Sequence, residues 1–416
     1  MPGSLVGVQP SSDVGQAGTV HGIEQFGHQL LLWGTVGVAA LVGHRLARFL
    51  RVPASVLVLV LAAAAGGVVG RPSLGTVVDV VTVALIVILF DGGMHLGKRF
   101  RTAIGPIIGL GTVGAFLTAG LVALGAHFLF GIEVKTALVL GAALAPTDPA
   151  VVFSVLANRE LTGKTSAILE GESGVNDPAG IALLVGFASF ATATDTSMAG
   201  IVVDFLRQMA VGAAVGLVGG AMLAWLLARV KPLASEHRPV GVLAIVLALY
   251  GIAAAAHGSG FLAALLAGIV VAHSDTQPTH DVRRFTTTLA TMGEITAFVL
   301  LGLSFDFSEL TRRHIWLTGI GIALLLVFVV RPAVVLPMLA PTRLGRGEKV
   351  FVAWAGLKGA VPILLGALAV QSGVPDAGRI YAIVFIVVAL SVAGQGGSLG
   401  AVAHRLRVTT RAVSAG

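Results

Sequence analysis

An all-α polytopic membrane protein is the fold class this sequence predicts, and three observations predict it. Apolar residues make up 56% of the chain and charged residues only 11%, where a soluble domain carries about a quarter charged. The mean hydropathy is +0.94. The apolar residues also fall in successive runs of roughly 20, the length that crosses a ~30 Å hydrocarbon core at about 1.5 Å per residue. One soluble core cannot hide so many runs. The short alternating strands of a membrane barrel are absent, so helices must satisfy the backbone.

Each element follows in order. Residues 1–27 are polar, contain no Lys or Arg and lack an apolar leader stretch, so they read as a disordered extracytoplasmic tail. Thirteen spans are predicted, helices 1 to 13, at 29–50, 54–70, 75–96, 101–129, 134–157, 163–191, 200–229, 238–256, 260–273, 283–304, 313–340, 347–371 and 378–403. Residues 28–192 form a first repeat of six helices. Helix 7 lies in a linker at 193–236, and 237–405 form a second six-helix repeat. Residues 406–416 read as a short cytoplasmic tail with no further domain. Six helices followed by one linker helix make the repeats inverted, so helices 5 and 12 hold equivalent places.

Charge placement gives the orientation. Of 27 Lys and Arg, 19 fall on the side that receives the loops after odd-numbered helices, 5 on the other, and 3 within helices. The positive-inside rule then puts the N-terminus outside and the C-terminus in the cytoplasm of a plasma-membrane protein. The same rule accounts for the net charge of +7 without nucleic acid as a partner. Cysteine is absent, which excludes disulfides and thiolate chemistry. No phosphate-binding loop, zinc spacing or nucleophile elbow appears, so neither a cofactor nor an enzymatic activity is expected.

The polar residues concentrate in three helices. Helix 5 contains "ALAPTDPAVV", with Thr147 and Asp148 between Pro146 and Pro149. Proline lacks an N–H and disrupts the preceding turn, which predicts free carbonyls at Ala142 and Ala145. Such backbone survives in a bilayer only inside protein or beside a cavity. Helix 6 contains "GESGVNDPAG". Ser173 and Asp177 share one face, and Glu172 and Asn176 another. Hydroxyl, carboxylate and carbonyl oxygens suit a small hard cation. Helix 12 contains "GLKGAVPI", where Lys358 is the expected partner of Glu172. Two interrupted helices in corresponding positions mark a transporter site at a repeat interface.

The segments "APTDPAVV", "GESGVNDP" and "GLKGAVPI" resemble the signatures of NhaP-type monovalent cation/proton antiporters, relatives of animal sodium/proton exchangers. The likeness covers about residues 28–405. "LFDGGMHL", with Asp91, is most similar to the potassium/proton branch. The resemblance implies crossed discontinuous helices, a homodimer in the lipid bilayer, and Na⁺ or K⁺ exchanged for H⁺. It implies that Asp177 binds cation or proton, with Ser173, Thr147 and Asp148 beside it and Asn176 and Glu172 in support. The family's usual arginine is Lys358 here. One titrating acid predicts electroneutral 1:1 exchange, serving pH and cation homeostasis. The alternative is a sodium-coupled organic-anion symporter of the same plan.

Other intramembrane charges have structural readings. Asp91 either lines an inner access path or caps a helix. Glu294 and Arg331, at similar depth in helices 10 and 11, are expected to form a structural ion pair. His127, His257 and His273 read as packed or solvated.

Overall fold

The computed structural model describes residues 53–149, 159–161, 163–193, 197–229, 237–274, 280–311, 314–408 and 410–412, with isolated positions at 27, 34, 37 and 152. Helix 1 and the 1–27 tail therefore lie outside the described residues apart from three positions, as does 413–416. Within the described residues, eight helices are long and apolar enough to cross a membrane, and four more are shorter and apolar. These twelve correspond to helices 2–13 of the sequence reading. The short ones are helix 2 (Ala54–Val69), the first part of helix 5 (Val134–Leu144), helix 9 (Gly260–His273) and the second part of helix 12 (Ala360–Gln371).

Glycine sets how closely these helices approach. Helix 7 (Met198–Arg229) carries Gly212, Gly216 and Gly220 at four-residue spacing, so all three share a face. They lie against Ser259, Ala263 and Ala267 of helix 9 or the turn before it, which repeat at the same spacing. Between helix 3 (Leu74–Leu96) and helix 9, Gly93 faces the carbonyl of Leu265 and Gly268 that of Phe90. Between helix 2 and helix 10 (His280–Leu303), Gly66 and Gly302 meet Leu303 and Leu59 in the same reciprocal manner. A methyl group at any of these glycines would strike the facing backbone. Lipid offers no hydrophobic drive for helix pairing, so this close packing supplies the attraction.

Among the described residues, three helices contain a wide π turn that the sequence reading did not anticipate. They are helix 4 (Ile104–Phe130) at Leu110–Gly114, helix 11 (Ile315–Leu339) at Leu326–Val330, and helix 13 (Ala377–Arg405) at Ser391–Gly396. Such turns re-aim the residues that follow and gather at functional sites. Each of the three adjoins the polar centre. A second unanticipated feature is a backbone pairing in which Arg159–Leu161 runs antiparallel to Thr410–Ala412, Glu160 opposite Arg411. It ties the connection into helix 6 to the C-terminal segment.

Candidate functional site

Two chain breaks meet in the middle of the molecule. Helix 5 ends at Leu144, and Ala145 to Asp148 are not helical. Helix 12 stops at Trp354 and resumes at Ala360. The breaks touch directly: the Asp148 N–H donates to the Leu357 carbonyl at 2.8 Å. Gly359 lies against the Asp148 side chain, where a Cβ would collide with the carboxylate. The prolines account for the break in helix 5, although the freed carbonyls differ from expectation. Ala142 still accepts the Ala145 N–H at 3.2 Å. The carbonyls left to other partners are those of Ala145 and Pro146.

Lys358 takes both of them. Its Nζ donates to Ala145 O at 3.1 Å and to Pro146 O at 2.8 Å, and the residue is only 1% exposed. A point charge thus holds the end of a half-helix, where carbonyl dipoles converge. Helix 13 secures the lysine from behind. The Lys358 N–H donates to Ser391 Oγ at 3.1 Å, Ser391 donates to Gln395 Oε1 at 2.6 Å, and Gln395 Nε2 donates to Trp354 O at 2.7 Å. Ser391 and Gln395 both belong to the π turn of helix 13.

Helix 6 (Gly163–Thr192) runs unbroken past Pro178 and presents its polar residues to the helix 5 break. Ser173 Oγ donates to Thr147 O at 2.6 Å. Asn176 accepts from the Thr147 N–H at 3.2 Å and donates to Thr147 Oγ1 at 2.8 Å. Gly180 leaves room for the Pro146 ring. Asp177 is buried, and its Oδ1 has no hydrogen-bond partner among the described residues. Asp148 and Lys358 are the charges that act on it. The arrangement brings Thr147, Asp148, Ser173, Asn176, Asp177 and Lys358 together.

Glu172 is a correction to the sequence reading. Its partner is Arg331, not Lys358. Arg331 Nη1 donates to Glu172 Oε1 at 2.6 Å and Nη2 to Oε2 at 3.5 Å, with Nη2 also 3.4 Å from Val352 O. Both residues are buried. A planar fork matches a carboxylate where an ammonium cannot. The π turn of helix 11 immediately precedes Arg331, and Gly356 in the helix 12 break leaves space for the guanidinium. The expected Glu294–Arg331 pair is corrected by the same contact, because Glu172 occupies the guanidinium. Helix 4's π turn closes the other side, with Gly111 against Val175 and the Glu172 carbonyl.

Among the described residues, Asp91 caps no helix end. It accepts a 2.9 Å hydrogen bond from Thr287 Oγ1 of helix 10 and lies 3.3 Å from His95 Nδ1. His127 and His273 bond backbone carbonyls at 2.8 Å, and His257 sits in a turn with φ 57°.

Residues 36–405 match the family model described as "Sodium/hydrogen exchanger, transmembrane". The chain belongs to that family. Among relatives of this exchanger-family chain is the K(+)/H(+) antiporter NhaP of Alkalimonas amylolytica. It is 35% identical over 333 residues, which are 79% of this chain and 57% of that protein. The K(+)/H(+) antiporter NhaP2 of Shewanella oneidensis is 33% identical over 329 residues, 78% of this chain and 57% of its own. The chain thus spans 57% of the length of these two relatives. The fold is shared with the sodium proton antiporter MjNhaP1 of Methanocaldococcus jannaschii. The TM-score is 0.75 at 20% identity, over 91% of this chain and 99% of that one. Apart from the short 159–161/410–412 pairing, the exchanger-family fold is helical and multi-pass here, as the composition predicted.

Proposed function

We propose that this exchanger-family chain is a secondary antiporter that exchanges H⁺ for a monovalent cation, Na⁺ or K⁺, at Asp177. The observation that carries the reading is the buried Asp177 Oδ1, which no group among the described residues satisfies. A buried carboxylate oxygen needs a proton or a cation beside it. Both can reach one group only in turn, and that is exchange. The antiporters named among its relatives point the same way.

The neighbours have distinct roles in this reading. Thr147 and Ser173 offer hydroxyl oxygens to a cation, and Asp148 adds negative charge. Asn176 has its amide committed to Thr147 and does not titrate. Glu172 is matched by Arg331. One acid therefore cycles, and one H⁺ leaves for each cation bound. The breaks in helices 5 and 12, and the π turns in helices 4 and 11, recur seven helices apart, which supports two inverted repeats at 28–192 and 237–405. The Lys and Arg bias supports a cytoplasmic C-terminus in the plasma membrane, and the family resemblance a homodimer.

Reconstituted vesicles test the reading. Added Na⁺ or K⁺ should drive protons across the membrane at a rate unaffected by an imposed membrane potential. Raising the cation concentration should move the activity profile to lower pH, because the ions compete. Apparent cation affinity that stays constant across about two pH units spanning the activity midpoint would sink the shared site.

A further inference from the structure

The corrected pairing of Arg331 leaves Glu294 to be explained. Glu294 lies within a membrane-crossing helix and is half-buried. It makes no hydrogen bond or ion pair among the described residues. A charged group there is costly, and its usual surroundings are a partner or a water-filled path. Asp148 is the charge that acts on it, and Asp148 also acts on Asp177.

The helix register shows where it points. Thr287, Thr291 and Glu294 fall at i, i+4 and i+7 of helix 10, on one face. Thr287 on that face donates to Asp91 of helix 3. Gly293, next to Glu294, packs on Ala84 of the same helix 3, where an added Cβ would sit 3.1 Å from the Ala84 Cβ. Helices 6 and 10 are both even-numbered and run in the same direction. Asp177 is 14 residues beyond Gly163 (177 − 163), and Glu294 is 14 beyond His280 (294 − 280). The two carboxylates sit equally far along their helices, and the Asp91–Thr287 contact is about 10 Å nearer one membrane face.

We infer that Glu294 forms, with Asp148, a transient monovalent-cation site at the inner end of a path that begins at Asp91 and follows one face of helix 10. The inference rests on the exchange reading above. A cation drawn past Asp91 is held between Glu294 and Asp148 before it displaces the proton of Asp177. Glu294 raises the occupancy of the site, and Asp177 performs the exchange.

The test separates KM from kcat for cation-driven proton movement in everted vesicles. Removing the charge of one of the two carboxylates that hold the cation should weaken its binding roughly tenfold or more. Glu294→Gln should raise the cation KM by about that factor and leave kcat within about twofold, and Glu294→Asp should restore KM. An unchanged KM in Glu294→Gln overturns the inference, provided that wild type exchanges. A wild type without exchange overturns the functional reading as well.

Since the chain has no cysteine, Glu294→Cys gives an independent measurement. Labelling with an anionic sulfonatoethyl thiosulfonate should return KM toward wild type. A cationic trimethylammonium reagent should raise it further, and saturating K⁺ or Na⁺ should slow labelling. A KM indifferent to the sign of the attached charge, or labelling indifferent to cation, overturns the site.

Discussion

Asp177→Asn should reduce cation-driven proton flux to that of protein-free vesicles while the protein still folds. The amide fills the same space, so the packing against the helix 5 break is kept. It can neither release a proton nor supply the net charge that holds a cation. Thr147, Ser173 and Asn176 remain bonded to one another, so the crossing of helices 5 and 12 survives. The measurement is dye-monitored exchange beside thermal unfolding in detergent. Residual flux in a variant of wild-type stability would remove Asp177 from the reaction. Substituting Asn176 instead should cost stability before exchange.

The second large effect is on stability. Glu172→Gln or Arg331→Met alone strands one buried charge, at a cost of about 3–5 kcal/mol by analogy with soluble proteins. Removing both should recover most of that loss, because the bridge itself offsets little more than its own desolvation. A double-mutant cycle read by thermal unfolding isolates the coupling. The same cycle between Glu172 and Lys358 should give a smaller coupling, since Lys358 bonds carbonyls instead of the carboxylate. Equal coupling in the two cycles would contradict the pairing described above.

The fold was legible because a bilayer admits few solutions. Apolar runs of spanning length must become helices, and Pro146 and Pro149 must break one of them. The position of the Lys358 break was equally readable from glycine and proline in "GLKGAVPI". What could not be read was the aim of side chains beyond a π turn. A straight helix 11 gives Arg331 no preferred partner, and matching its depth to Glu294 gave the wrong one. The helix bounds in the structure put it level with Glu172 instead. Arg331 is 8 residues from the end of helix 11 (339 − 331), and Glu172 is 9 from the start of helix 6 (172 − 163). The two helix ends share a face, so those two residues are level. The Lys358–carbonyl contacts left no such trace, because backbone acceptors carry no sequence signal. The short pairing of 159–161 with 410–412 was likewise invisible, being a match of backbones across 251 residues (410 − 159).

The crossing itself has a consequence for hydrogen–deuterium exchange. The amides of Thr147 and Asp148 belong to no helical ladder; each donates to a different helix, one to Asn176 and the other to Leu357. An amide in a helix is released when its own turn frays. These two are released only when helix 5 parts from helix 6 or from helix 12. They are therefore clocks for the integrity of the centre, one for each seam. A centre that travels as one piece keeps both clocks slow however fast ions pass. A centre that comes apart at every turnover advances them in step with the flux.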